Sequence, residues 1–268
     1  MRKALITGVT GQDGSYLAEL LLTKGYAVYG VFRRRTDTVK QPRLAQLAAY
    51  AAETSGSFEA VPGDITDTGA MAALLQDIRP DEFYNLAAQS HVHYSFETPH
   101  QTAKTTGLAV LGLLEAIRNV GLAKQIRFYQ ASSSEMFGKV HQIPQVESTL
   151  LHPRSPYGCA KAFAHHAVIN YRESYGIFAC SGILFNHESP RRGHDFVTRK
   201  ISRGVSAIAT GQATELRLGN LDAKRDWGYA PEYVAGMHAM LTAENPDDYI
   251  LATGRTVTVL DFVKAAFA

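Results

Sequence analysis

Tyr157 and Lys161 stand four residues apart in "SPYGCAK", a spacing that puts both side chains on one face of a helix. A phenol ordinarily titrates near about pH 10, but an ammonium one turn away favours the phenolate and makes tyrosine a usable base at neutral pH. A second group of reactive side chains lies in "ASSSEMFG", residues 131–138, where Ser133, Ser134 and Glu135 follow an apolar run. Serine-rich strand ends are common, a glutamate there usually faces water, and Y-x-x-x-K recurs by chance. What these residues can do depends on the elements that bring them together.

Short apolar runs alternate with helical patterns. "KALIT" (3–7), "AVYGVF" (27–32), "FEAVPG" (58–63), "EFYNLAA" (82–88) and "IRFYQAS" (126–132) read as buried parallel strands. "SYLAELLLTKG", "RLAQLAAYAAETSG", "AMAALLQDI" and "TGLAVLGLLEAIRNVG" read as the helices between them. The alternation predicts an α/β fold, a doubly wound parallel (Rossmann) sheet. After "GIFACSGILF" (176–185) the texture turns polar in "NHESPRRGHDF", the expected start of a smaller C-terminal substrate-binding lobe. "DDYILATG" (247–254) reads as a strand returning to the sheet. The expected division is a nucleotide-binding domain over 1–184, with 226–253 returning to it, and a lobe over 185–225 and 254–268. The final "TVLDFVKAAFA" reads as an amphipathic helix without a stop signal, so more chain is expected beyond Ala268.

The first strand runs into Gly8, Gly11 and Gly14, a G-x-x-G-x-x-G loop ahead of an amphipathic helix. Glycines there permit a tight turn and let backbone N–H groups approach a pyrophosphate at a helix N-terminus. At the end of the second strand, where NAD-binding folds carry an acid, this chain has Arg33, Arg34 and Arg35, with no acid before Asp37. Arginines suit a 2′-phosphate, so the expected cofactor is NADP, whose positive nicotinamide would further favour the Tyr157 phenolate. Asp64 and Ile65, after the third strand, are expected beside the adenine. Leu86, Ala87, Ala88, Gln89 and Ser90, after the fourth, are expected to line the inner cofactor path, because ligands sit at the carboxyl ends of parallel strands.

Composition narrows the classes of partner. The 268 residues are 46% hydrophobic and 19% charged, with a net charge of +2, too small to argue for nucleic acid or a membrane surface. No run approaches the roughly 20 apolar residues of a membrane span. Two cysteines, Cys159 and Cys180, form no disulfide framework and fit a reducing, cytoplasmic setting. His91 and His93 lie two apart without further metal-ligand spacing, so no metal is expected.

Together the glycine loop, the serine-rich fifth strand and the Tyr-Lys pair resemble the extended short-chain dehydrogenase/reductase superfamily. Longer blocks, "GVTGQDGSYLAELLL", "YNLAAQSHV", "NYRESYGIFAC" and "LRLGNLDAKRDWG", are similar to the GDP-mannose 4,6-dehydratase family over almost the whole chain. That resemblance implies catalytic positions at Ser133, Glu135 and Tyr157, supported by Lys161, with Ser133 standing where the family carries threonine. It implies cofactor contacts from Gly8 through Thr10, Gly11, Gln12 and Asp13, from Arg33 to Thr36, and from Tyr157, Lys161, His187 and Arg192. For the sugar nucleotide it implies Ser90, Ser133, Glu135, Asn186, Arg192, Lys200, Arg217 and Arg225. It also implies a homodimer or homotetramer, with the arginine loop near a neighbouring subunit's cofactor. "TAKTTG" (102–107) lacks the acidic residues of that family's helix, and Gln101 stands where it often has tyrosine.

The chemistry of such a substrate gives Glu135 a task. The hydrogen on C5 of a hexose becomes acidic only after C4 is oxidised to a ketone; a carboxylate can then remove it while water leaves C6. A 4-epimerase or a simple reductase needs the tyrosine but no base at C5, so Glu135 is the residue that points to dehydration.

Overall fold

Consecutive residues of each apolar run face opposite sides of one sheet, and each side is covered by helices. The computed structural model describes residues 1–33 and 41–268. Strands β1 (Lys3–Thr7), β2 (Ala27–Phe32), β3 (Ser57–Pro62), β4 (Glu82–Asn85) and β5 (Arg127–Ser133) follow the expected runs, and β6 (Phe178–Leu184) lies in the apolar stretch just before the polar change of texture. β7 (Asn186–Glu188) and β8 (Lys224–Tyr229) leave that sheet, β9 (Asp248–Leu251) joins it, and β10 (Thr256–Thr258) lies outside it again. The large sheet is parallel in the order β3-β2-β1-β4-β5-β6-β9, so its strand order reverses between β1 and β4. A second sheet has the order β10-β8-β7, with β10 antiparallel and β7 parallel to β8.

The helices are α1 (Gln12–Thr23), α2 (Gln41–Ala52), α3 (Thr68–Ile78), α4 (Val92–Glu97), α5 (Pro99–Thr102), α6 (Ala109–Asn119), α7 (Pro156–Tyr175), α8 (Val197–Ala209), α9 (Ala230–Thr242) and α10 (Val259–Phe267). A π-helical turn, Ala103–Leu108, joins α5 to α6 where the sequence reads as ordinary helix. Ile6, Tyr84 and Tyr129 pack with Leu17 and Leu21 of α1 and with Val234 and Met237 of α9. Their neighbours Leu5, Phe83 and Phe128 pack on the other face with Leu75 of α3, Leu113 and Ile117 of α6, and Val168 of α7. This period of two is the strand pleat read through two cores. At the edge, Arg172 of α7 grips Asp248 of β9 through two hydrogen bonds, at 3.2 and 2.9 Å. Trp227 packs on Phe262 of α10, ring centroids 5.3 Å apart, as an anchor of the smaller sheet.

Candidate active site

Ser133 is the last residue of β5, and Glu135 sits in the single 3-10 turn that follows, Ser134–Met136. The Ser133 hydroxyl accepts the Glu135 backbone N–H at 3.2 Å, which caps that turn and holds the two residues together. Helix α7 approaches from the side. Ser155 caps it by accepting the Gly158 N–H at 3.0 Å, and Pro156 occupies its first turn. A Cβ on Gly158 would lie 2.7 Å from the Glu135 carbonyl oxygen, so only glycine lets the first turn of α7 come this close. Tyr157 is thereby carried beside Ser133 and Glu135, and both affect its phenol.

Tyr157 and Lys161 are both buried, at 8% and 4% exposure. Burial pushes the phenol up to about 12; contact with Ser133 and the charge of Arg192 act against the shift, and Glu135 adds to it. Burial likewise pushes the Lys161 ammonium down to about 8, opposed by Asp13. The lysine lies 5.7 Å from the centre of the tyrosine ring. In the protein alone, burial therefore outweighs the groups that oppose it, Ser133 and Arg192.

The glycine loop stands at the switch point between β1 and β4. Gly8 has φ +70°, and a Cβ there would lie 2.9 Å from the Ala87 nitrogen; one on Gly14 would lie 2.3 Å from the Gly8 oxygen. At Gly8 the loop thus packs against the residues that follow β4, and at Gly14 it folds back on its own backbone, with no room for a side chain at either position, a cradle that fits a dinucleotide pyrophosphate. Asp13 faces His187 at 2.8 Å, and Gln12 donates to the His187 carbonyl at 3.0 Å. Burial pushes the Asp13 carboxyl up, but His187, Gln12 and Arg192 outweigh it and hold it below the usual range. Burial alone would lower His187; Asp13 and the Phe185 carbonyl raise it instead. The His187 ring stacks on Tyr233 with centroids 4.4 Å apart.

Other expected positions spread along the same strand ends. Asp64 accepts the backbone and side-chain donors of Thr66 at 2.9 and 2.8 Å. Burial would raise its carboxyl, but those bonds, with Arg33 and Lys104, lower it, so Arg33 at the end of β2 acts on the Asp64 site. Arg34, Arg35 and Thr36 lie outside the described residues. Ile65 is buried in the core. The Leu86 and Ala87 amides donate to Thr7; Ala88 and Gln89 are half-buried and Ser90 is exposed. Arg192 pairs with Glu188 at 3.1 Å and stacks on Phe196. Asn186 opens β7, Lys200 is on α8 and Arg225 on β8. Among the described residues no hydrogen bond or ion pair joins Lys200, Arg217 or Arg225 to Ser133, Glu135 or Tyr157. Arg217 instead pairs with Glu215 on a groove of 740 Å³ that contains none of those three residues. His91 caps α4, His93 pairs with Glu97, and His165 is buried against Ser132 at 3.2 Å.

Sequence reading overlooked several polar side chains near the site. Arg43 donates to the Thr10 carbonyl at 2.6 Å, and Thr106, in the π turn, accepts the Gln89 N–H at 3.1 Å. Thr7 and Asn85 close β1 and β4, and Gln130 lies midway along β5, all three buried polar groups. Their one signal in the sequence is a polar residue inside or at the end of an otherwise apolar run.

A doubly wound parallel sheet, a glycine cradle at its switch point and a Tyr-Lys pair beside the fifth strand define a short-chain dehydrogenase/reductase. Solved structures similar to the chain share this fold. A UDP-glucose 4-epimerase from Thermotoga maritima matches with TM-score 0.82 at 24% identity, over 98% of this chain and 81% of that one. The RMD structure from Pseudomonas aeruginosa complexed with NADPH matches with TM-score 0.78 at 22% identity, over 98% and 82%. The family model for GDP-mannose 4,6 dehydratase matches residues 5–268, and the chain belongs to that family. The Yersinia enterocolitica GDP-mannose 4,6-dehydratase is 52% identical over 98% of this chain and 71% of its own length. The human GDP-mannose 4,6 dehydratase is 51% identical over the same two shares. No described helix is long and apolar enough to cross a membrane.

Proposed function

We propose that the chain converts GDP-mannose to GDP-4-keto-6-deoxy-mannose with NADP as its resident cofactor. The observation that carries the reading is the convergence of Ser133, Glu135 and Tyr157, held by the Ser133–Glu135 bond and the close approach at Gly158. When bound, the cofactor would supply hydride acceptance at C4 of the sugar and hydride return at C6. Tyr157 takes the proton from O4, with Lys161 and the local positive charge stabilising its phenolate. Ser133 orients the sugar and polarises O4. Glu135 removes the C5 proton and assists departure of water from C6. Residues 8–14, Thr36 and 86–90 hold the cofactor, and Arg33, Arg34 and Arg35 take its 2′-phosphate. Asn186, Arg192, Lys200, Arg217 and Arg225 serve the sugar nucleotide, their cations and amide facing its diphosphate.

The same reading includes a nucleotide-binding domain over 1–184 completed by 226–253, and a lobe built from the remainder. It includes a cytoplasmic homodimer or homotetramer, supported by two free cysteines and by exposed apolar side chains of Tyr94, Phe96, Leu108 and Phe163. Incubation with GDP-mannose and NADP, followed by mass spectrometry, should show a sugar nucleotide lighter by one water. Product of unchanged mass would overturn the dehydratase reading. Neutral replacements at Arg33, Arg34 and Arg35 should weaken NADP far more than NAD; equal losses would remove the 2′-phosphate role.

A further inference from the structure

Thr7, Asn85 and Gln130 are register partners across β1, β4 and β5. The pleat sets their side chains on the same face as Leu5, Phe83 and Phe128, the face that carries α7. All three are buried, at 0%, 1% and 1% exposure. Their hydrogen bonds run in one direction. The backbone N–H groups of Leu86 and Ala87 each donate to Thr7 Oγ1 at 3.2 Å. Thr7 donates to Asn85 Oδ1 at 2.6 Å, and Asn85 Nδ2 donates to Gln130 Oε1 at 2.8 Å. Gln130 Nε2 then donates to the Ala131 carbonyl at 3.0 Å, and Lys161 Nζ donates to that same oxygen at 2.5 Å.

Both ends of this chain fix its polarity. The loop amides can only donate, and the Ala131 carbonyl can only accept. Flipping either carboxamide alone would bring like groups together, and flipping both would set the Gln130 oxygen against the Ala131 oxygen. β4 stops at Asn85, opposite Gln130, so Ala131 has no β4 residue beside it. Gln130 fills that gap. In a dry interior such a chain strengthens its members mutually, and a broken link leaves costly unpaired groups.

We propose that Gln130 is a positioning residue for Lys161. Through Thr7 and Asn85 it ties the carbonyl on which the ammonium rests to the loop that begins at Leu86, so the lysine and that loop are placed together. The inference rests on the proposed role of Lys161 only for the kinetic half of its test.

Gln130→Met keeps the volume and removes both polar ends. In the cofactor-free protein, amide hydrogen exchange at Leu86 and Ala87 should accelerate by roughly fivefold or more, since a single link of this kind is worth about that factor. In the loaded enzyme kcat should fall by at least the same factor, while the dissociation constant for GDP-mannose holds. Unchanged exchange at those two amides overturns the chain, whatever reaction the protein performs. Unchanged kcat overturns the positioning role. Should Gln130→Met fail to fold, Thr7→Val carries the kinetic test from the far end of the chain: kcat should drop, and Thr7→Ser should restore it. Full kcat in Thr7→Val overturns the proposal equally.

Discussion

His187 Nε2 lies 2.8 Å from Asp13 Oδ2, and this one contact joins the smaller sheet to the first turn of the helix behind the glycine loop. Around it, Ser189 donates to Gln12 at 2.8 Å, and Arg191 reaches Ser15 at 3.1 Å and Glu19 at 2.6 Å. Residues 187–191 are thus fastened along α1. Whatever orders the cofactor cradle also orders the strand that leads into the second sheet.

That contact should leave a pH signature. Burial favours a neutral Asp13, but its partners depress the carboxyl overall, so its stabilisation is present above about pH 4 and lost as pH falls through the lowered value. Burial also opposes a charged His187, yet Asp13 raises it, so its contribution is full below about pH 6.5 and lost as pH rises through the raised value. Asp13→Asn should therefore cost roughly 1.5–3 kcal/mol near about pH 6. The difference from wild type should shrink by about pH 9. Chemical denaturation at both pH values checks it; a constant difference would mean the pair is not ionised as described.

Lys161 should show activity and stability moving apart. Its ammonium is buried with a value pushed down to about 8, so folding holds a charge that burial disfavours. Because the folded value lies below the unfolded one, the penalty is complete at neutral pH and is relieved as pH rises through about 8 towards 10. Lys161→Met should abolish most turnover and yet stabilise the fold at neutral pH, by up to about 3 kcal/mol. Denaturation and turnover measured on the same preparation test this. A destabilised Lys161→Met would show that the Ala131 hydrogen bond outweighs the burial.

Gly158→Ala should separate the tyrosine from the glutamate without touching either. The added methyl would meet the Glu135 carbonyl, so the first turn of α7 must move by a few tenths of an ångström or more. Overpacking of this kind costs roughly 1–3 kcal/mol. A misplaced general base can lose on the order of 10²-fold in rate. Turnover within a factor of about two of wild type would show that the close approach at Gly158 is not needed for the chemistry.

Strands β1 to β5 and β9 were legible because short apolar runs between helical patterns mark buried parallel strands, and Tyr157 with Lys161 because spacing alone puts them on one face. The polar row was not. Thr7 and Asn85 look like the ordinary polar ends of strands and Gln130 like a lone polar residue within one, and only the register across β1, β4 and β5 shows that they touch. β10 and β7 were equally silent, being three residues each, too short to carry a period. The π turn at Ala103–Leu108 sits inside a pattern that reads as plain α-helix, since one extra residue in a turn barely alters the spacing of apolar side chains. Of the two ionisations read from the Tyr-Lys spacing, the structure adds what spacing cannot contain: how deeply both groups are buried.

Glu135→Gln isolates the elimination step. The amide keeps the size of the side chain, and its backbone N–H can still bond to Ser133, but it cannot accept a proton from C5. Tyr157 is untouched, so oxidation at C4 should proceed and the reaction should then stall. Reduced-cofactor absorbance should build up in a single turnover while little 4-keto-6-deoxy product forms, a loss of roughly 10²–10⁴-fold in product formation. Wild-type protein turning over in D₂O should place deuterium at C5, because the abstracted proton exchanges before it is replaced. The hydrogen that arrives at C6 should be the one that left C4 and should carry no solvent label. A glutamine variant that dehydrates at the wild-type rate, or wild-type product without deuterium at C5, would take Glu135 out of the elimination and leave it only the task of shaping the end of β5.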